Sequence, residues 1–359
     1  MFPFLARRRL LQVAAGGLCL GVPGKEAKAA APSDWSLYKQ RYVSSDGRVV
    51  DSGNGMQSHS EGQGYGMLFA QAFDDQDVFD RMFAWTERTL KRQGDALHAW
   101  HYLPNVTPHV PDTNNATDGD LLIALALVLA GRRWGRPELE ASARDIYAAL
   151  RKRVVVTVGR RAVLLPGLDG FAWPDHALVN ASYYIMPSLM AATELDDRSV
   201  WQNVIRDGMD LIRRGRFGRW NLPPDWMQVS PGIDMPAIAR GRPARFSYDA
   251  VRVPLYLQWA GLLDPGLRAD FQRYWNGWGG TMPAWVNLQT GERSPYDAPP
   301  GFYAVGIGAG LLDMPGTRSM AFPSMAQSPD YYSASLTLLA SLVMDGLASD
   351  IVQRDGGMF

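Results

Sequence analysis

The segment Asp118–Trp134 restricts the fold of this chain more than any other stretch. Its centre, Leu121-Leu122-Ile123-Ala124-Leu125-Ala126-Leu127, is apolar on every side, so a helix built from it has no face that tolerates water. Pro137–Arg153 follows almost at once, opening on proline, a favoured first helical position, and presenting charges along one face. A fully buried helix next to one that is wet on one side implies two layers. Helical period continues through Asp77–Arg92, where Val78, Phe79, Met82, Phe83 and Leu90 alternate with charges, and through Ala181–Leu195, Ser199–Arg214, Asp249–Leu263, Pro265–Trp275 and Tyr331–Leu347. Roughly ten to twelve such segments are too many for a simple bundle. Two concentric rings of helices, an inner barrel inside an outer one, bury them all.

Strand signals are sparse. Val154–Val158 and Ala162–Leu165 predict one short hairpin around Gly159-Arg160. No β-α alternation of the parallel-sheet kind occurs, and the Gly62, Gly64, Gly66 spacing lacks the preceding strand that a dinucleotide loop needs. The loops Trp220–Arg245 and Gly277–Pro300 are long and rich in aromatics and prolines, and loops of that length usually carry function.

The first residues read as an export signal. Arg7-Arg8-Arg9 precede an apolar run from Leu10 to Val22 and the small residues Ala27-Lys28-Ala29-Ala30-Ala31, which is a basic, apolar and cleavage-site order. The apolar run is too short to span a bilayer comfortably, and the arginines leave a twin-arginine route open beside the general one. The expectation is a signal peptide over 1–29, a single domain over 30–359, no membrane span in the mature chain, and a periplasmic or secreted product. Whole, the chain balances 36 basic against 36 acidic side chains; without the five basic and one acidic groups of 1–29, 31 and 35 remain, a net −4. A mildly acidic surface argues against nucleic acid and anionic membrane as partners and leaves a neutral polymer compatible.

Chemistry narrows by elimination. Cys19 is the only cysteine and lies in the export segment, so the mature chain is expected to hold no disulfide, thiolate nucleophile or zinc–cysteine site. The five histidines, His59, His98, His101, His109 and His176, have no coherent metal spacing, and a G-x-S-x-G elbow is absent. No metal and no cofactor are expected. What remains is carboxylates. Ser58-His59-Ser60-Glu61-Gly62-Gln63-Gly64-Tyr65-Gly66-Met67 sets one glutamate among three glycines and an aromatic ring, where a ligand could approach the backbone closely. Ser60 and Gln63 form a capping-box pattern that starts a helix with Glu61 in its first turn. A carboxylic acid in a partly apolar pocket keeps its proton, as a proton donor must. Far downstream, Tyr248-Asp249-Ala250-Val251-Arg252 places an aspartate one helical turn before an arginine, which favours the ionised state that a general base needs. Asp118, in Asn114-Asn115-Ala116-Thr117-Asp118-Gly119-Asp120, reads either as a plain helix N-cap or as a contact to sugar hydroxyls. Trp100, Phe171, Tyr183 and Tyr184 suit a core or, within polar loops, stacking on pyranose faces.

Four segments, Ser60–Met67, Ala116–Asp120, Asn180-Ala181-Ser182-Tyr183 and Tyr248–Arg252, together resemble glycoside hydrolase family 8, in the family's order and over most of the mature chain. The resemblance implies an all-α (α/α)6 barrel and hydrolysis of β-1,4-glucan with inversion at the anomeric carbon. It places Glu61 on the family's general acid, Asp249 on its general base and Asp118 on the aspartate at the cleaved sugar. Tyr248 and Arg252 match neighbours that position the base and its water, Tyr183 lies in a matching segment, and Trp100 matches a tryptophan platform. Phe171 stands near where some members carry another tryptophan. The members resembled most are exported and accompany bacterial cellulose synthesis, which implies cellulose as polymer partner and leaves association with a cellulose synthase complex open. Two alternatives stay beside this reading: a catalytically weak glucan-binding partner of that machinery, and action on xylan, mixed-linkage glucan or chitosan.

Overall fold

A computed structural model describes residues 30–279, 281–312, 322–349 and 351–352; the expected signal peptide lies outside them. Eleven α-helices form among these residues: α1 Pro32–Tyr42, α2 Ser60–Ala72, α3 Gln76–Thr89, α4 Thr117–Trp134, α5 Pro137–Arg153, α6 Met186–Leu195, α7 Arg198–Arg214, α8 Val253–Trp259, α9 Pro265–Asn276, α10 Pro300–Gly308 and α11 Tyr331–Met344. Their packing closes a ring. α2 packs on α4, α4 on α6, α6 on α8, α8 on α10, α10 on α11, and α11 returns to α2. These six are buried nearly all round: every residue of α4 from Thr117 to Gly131 is buried. α1, α3, α5 and α7 lie outside, against α11, α2, α4 and α6, each burying one stripe and wetting the other. The fold is an (α/α)6 barrel around one continuous hydrophobic core.

Local chemistry accounts for the element ends. Asp75, Asp197, Asp264 and Asp330 accept from backbone N–H groups at the starts of α3, α7, α9 and α11, and Gly135 ends α4 in the left-handed conformation. α2 departs from its expected capping box. His59 is the N-cap and no side chain caps it. Gln63 turns inward instead: its Oε1 accepts from Val49 N at 2.6 Å, and its amide donates to Gly47 O, Met82 O and Thr86 Oγ1. Its side chain links the Gly47–Val49 segment to α3 through buried polar groups.

The glycines around Glu61 also do a different job from the one expected. A Cβ on Gly64 would lie 2.5 Å from the Cβ of Leu122, and one on Gly119 would overlap Ser60. They face the neighbouring helix, not a ligand. Removing side chains at the crossing brings the first turns of α2 and α4 together, which sets Glu61 beside Asp118.

Short strands are more numerous than the single hairpin expected. That hairpin forms, as Val155–Val158 with Arg161–Leu164. Three further small antiparallel sheets join Ser58–His59 to His101–Tyr102, Ala177–Val179 to Met227–Val229 and Ala237–Ile238, and Arg245–Phe246 to Val286–Asn287. All lie in loops joining helices, where two or three residues of ladder pin long connections without building a layer. The predicted helix Asp249–Leu263 is shorter: a 3-10 turn over Ala250–Arg252 leads into α8. Ala181–Leu195 likewise splits into a 3-10 turn and α6.

Candidate active site

The N-terminal ends of α2, α4 and α11 and the turns before α6 and α8 meet at one rim. Glu61 occupies the first turn of α2, Asp118 that of α4, Tyr183 the turn before α6, Asp249 and Arg252 the turn before α8, and Tyr332 the first turn of α11. With Tyr248 these seven line one cavity of about 130 Å³. Residues 188 positions apart in sequence, Glu61 and Asp249, thus open on the same space. Larger cavities lie elsewhere, one of about 680 Å³ between the C-terminal ends of α2, α4 and α11, but no comparable set of carboxylates faces them.

Arg252 organises the cavity. Its Nη1 contacts Glu61 Oε1 and lies 3.5 Å from Asp118 Oδ2, while Nη2 is 2.9 Å from Asp249 Oδ1. The guanidinium is itself buried, and Nη2 also donates to Ser182 Oγ at 2.9 Å. Ser182 Oγ in turn donates to Asn180 Oδ1 at 2.8 Å. One planar fork thereby touches three carboxylates from three inner helices. A single guanidinium thus bridges Glu61 and Asp249.

Charge counting follows. Three carboxylates share one cation in a partly enclosed site, and such a set retains a proton more readily than separate carboxylates in water do. Burial pushes the Asp118 carboxyl up to about 7, with the charge of Asp120 adding to it and the Gly119 N–H opposing. The Asp249 carboxyl is raised well above its ordinary value by burial first, then by the charges of Asp225 and Asp118, with the Asn180 amide pulling the other way. Burial, with both aspartates nearby, holds the Tyr183 hydroxyl protonated. It is a neutral hydroxyl lining the same cavity as the two acids.

Asp118 is not the helix cap that its position first allows. Ala116 is the N-cap of α4; Asp118 Oδ1 takes its neighbour's Gly119 N–H at 2.8 Å, and its other oxygen faces Arg252. Asp120, two residues on, is tied up entirely. It accepts from His98 N at 3.0 Å, meets His98 Nδ1 at 2.9 Å and accepts from Asn115 Nδ2 at 3.0 Å. His98 Nε2 then reaches Glu87 at 3.1 Å. Among the described residues no group of His, Cys, Asp and Glu is arranged to hold a metal.

The aromatics divide. Tyr248 lines the cavity from its open side, 41% exposed, and its carbonyl accepts from Tyr332 Oη. Trp100 and Phe171 lie outside the cavity lining. Trp100 is half-buried one step from α2, where its carbonyl accepts from Ser60 N at 3.1 Å, and its ring stacks on His101 with centroids 4.1 Å apart. Phe171 lies parallel to Trp226 at 5.8 Å, and Trp226 in turn approaches Tyr183 at 6.4 Å. Tyr184, the remaining aromatic considered, is core. Sequence reasoning did not single out Tyr332, Trp226, Asp225, Asn180 or Ser182. The last two sit in the Asn180–Tyr183 segment, and Asp225-Trp226 follows Pro223-Pro224 in the long loop Trp220–Arg245. Tyr332 had no signal beyond its place at a helix start.

Comparison with known proteins identifies the family. The family described as Glycosyl hydrolases family 8 matches residues 18–346. A probable endoglucanase of Novacetimonas hansenii is 48% identical over 314 residues, covering 87% of this chain and 90% of the relative. An endoglucanase of Cellulomonas uda is 37% identical over 77% of each chain. The endo-beta-1,4-glucanase CMCax from Acetobacter xylinum superposes with a TM-score of 0.83 at 46% identity, over 88% of this chain and 98% of that one. Endoglucanase Cel10 from Klebsiella pneumoniae, a family 8 glycosyl hydrolase, superposes with a TM-score of 0.79 at 36% identity, over 88% and 99%. The chain belongs to glycosyl hydrolases family 8 and is a glycoside hydrolase.

Proposed function

We propose that this enzyme is an exported, inverting endo-β-1,4-glucanase that cuts within cellulose-type chains. The observation that carries the reading is the meeting of Glu61, Asp118 and Asp249 around Arg252 in one rim cavity. Glu61 protonates the glycosidic oxygen as its bond to the anomeric carbon breaks. Asp249 takes a proton from a water that attacks that carbon from the opposite face, forming the new C–O bond. Asp118 accepts from hydroxyls of the sugar being cleaved, favouring a distorted ring. Arg252, in reach of all three carboxylates, offsets their charge as the proton count changes. Tyr183 and Tyr248 border the sugar, and Trp100, Trp226 and Phe171 offer flat apolar faces to neighbouring units. The four endoglucanase relatives support β-1,4-glucan as substrate. Export through a signal peptide over 1–29, a single catalytic domain over 30–359, and a place in cellulose biosynthesis beside the synthase rest on the sequence reading above.

The test is reducing-end release from carboxymethylcellulose, run beside xylan, mixed-linkage glucan and chitosan, for the wild type and Glu61→Gln. The expected result is release from carboxymethylcellulose by the wild type alone, with retained cello-oligosaccharide binding in Glu61→Gln. Binding without release by the wild type would make the protein a glucan-binding partner. Faster release from xylan or chitosan would reassign the substrate.

A further inference from the structure

Behind Asp249 lies a second buried carboxylate that the proposed reaction does not use. Asp225 follows Pro223-Pro224 and is 7% exposed. Its Oδ1 accepts from Ser247 N at 3.0 Å and from Ala250 N at 2.9 Å, and its Oδ2 accepts from the Ser247 hydroxyl. Its own N–H donates to Arg245 O at 2.7 Å. The two N–H groups held by one carboxylate flank Tyr248 and Asp249. They belong to the start of the 3-10 turn over Ala250–Arg252, whose Asp249 N-cap makes no capping bond of its own. Asp225 therefore does for this turn what a capping residue does for a helix, from 25 residues away. Asp249 is left free to face the cavity.

We propose that Asp225 is a positioning residue for the water-activating base: by gripping Ser247 and Ala250 it fixes the turn that aims Asp249 at the cavity, and its charge stands directly behind that carboxylate. The inference rests on the assignment of Asp249 as the base. A structural anchor for the turn needs hydrogen-bond acceptors but no charge beside another buried acid, and an asparagine would supply an acceptor more cheaply. A carboxylate in that position does something an amide cannot: it makes the neighbouring acid hold a proton more tightly, which strengthens the corresponding base.

The groups around Asp249 bear on the sign. Arg252 on the same turn favours its ionised form, whereas Asp118 on α4 and Asp225 oppose it. Glu61 on α2 shares Arg252, and the neutral hydroxyls of Tyr183, Tyr256 and Tyr332 come from the turn before α6, from α8 and from α11. After burial, the charge of Asp225 is the leading cause that raises Asp249; burial raises the Asp225 carboxyl as well, and its bonds from Ser247 and Ala250 pull it back toward the ionised form. Asp225 is also linked to the sugar-facing side, since the next residue, Trp226, packs by Phe171 and Tyr183. One stiff dipeptide serves both jobs.

The experiment measures kcat, KM and the pH dependence of kcat/KM on a defined cello-oligosaccharide for the wild type, Asp225→Asn, Ser247→Ala and Asp249→Asn. Asp225→Asn is expected to lose at least about tenfold in kcat with KM within about twofold, and to move the acidic limb down by about one pH unit. Ser247→Ala keeps the charge, so it should lose only about threefold in kcat with the limb in place. A folded Asp225→Asn with wild-type kcat, or with an unmoved limb, overturns the inference. If Asp225→Asn does not fold, Ser247→Ala decides: a lower kcat at unchanged KM supports the role, and a wild-type kcat refutes it. An active Asp249→Asn would instead remove the base assignment itself.

Discussion

Asp118 and Asp120 sit two residues apart in the first turn of α4, both buried, and they serve opposite ends. Asp120 has both oxygens engaged by His98 and Asn115 and is linked through His98 to Glu87. Asp118 has one short bond to its own neighbour's N–H and an oxygen turned to a cavity and a shared arginine. Both are buried aspartates; satisfaction differs. A buried acid with every partner in place anchors structure, whereas one left short of partners in a cavity is poised for a ligand. The stability given up at the second site is the usual accompaniment of function.

The largest effects should separate the two sites by kind. Asp249→Asn should lower kcat by about a thousandfold while leaving thermal stability unchanged or raised, because a general base and its water are lost but no anchor is. Steady-state kinetics beside thermal melting checks this. A parallel loss of stability would place Asp249 with the anchors. Arg252→Met should cost both activity and about 2–4 kcal/mol of stability, since it strands the buried Asp118 and leaves the partly buried Glu61 and Asp249 without their cation. Denaturant unfolding reads that cost, and a fully stable variant would mean that the carboxylates do not depend on the cation.

Asp120→Asn should reverse the pattern shown by Asp249, losing about 2–4 kcal/mol of stability with specific activity of the folded fraction within about threefold. Asp118→Asn should do the opposite and depend on pH. Its carboxyl ordinarily releases its proton near 3.8 but holds it to about 7 in the fold. The protonated fold is thus favoured fully below pH 3.8, and that contribution is lost as pH rises through 7. An amide never ionises, so at pH 8 Asp118→Asn should be more stable than the wild type by about 1–3 kcal/mol and nearly equal to it at pH 4. Urea unfolding at the two pH values measures the difference, and a variant that is less stable at pH 8 would put Asp118 among the anchors.

How much of this was legible in sequence follows from the same contrast. Helices announced themselves where a period did: Pro137–Arg153 has the ends its residues imply. Pro300–Gly308 did not, because nine residues without a polar face carry no period. The glycine cluster pointed to the right place for a partly wrong reason, since Gly64 and Gly119 serve the α2–α4 crossing. Local spacing could not say that Gln63 would be drawn inward, that Asp120 would find His98, or that Asp225 would hold the turn before Arg252. Those are pairings made by the ring, between residues as far as 25 positions apart. Sequence distinguishes acid from neutral; only packing distinguishes a satisfied acid from an available one.

The smallest expected effect lies outside the cavity. Trp100→Ala should weaken kcat/KM by about tenfold, mainly through KM, since a stacking face worth about 1–2 kcal/mol is removed and no proton is moved. Kinetics on cello-oligosaccharides of increasing length would register it, and a loss confined to kcat would draw Trp100 into the chemistry.

The account as a whole turns on whether water attacks directly from the side of Asp249. Proton NMR of the first products from a β-1,4-linked cello-oligosaccharide reads this before the anomers equilibrate. The α-anomer should appear first; initial appearance of the β-anomer would mean a covalent intermediate and contradict the roles assigned to Glu61 and Asp249.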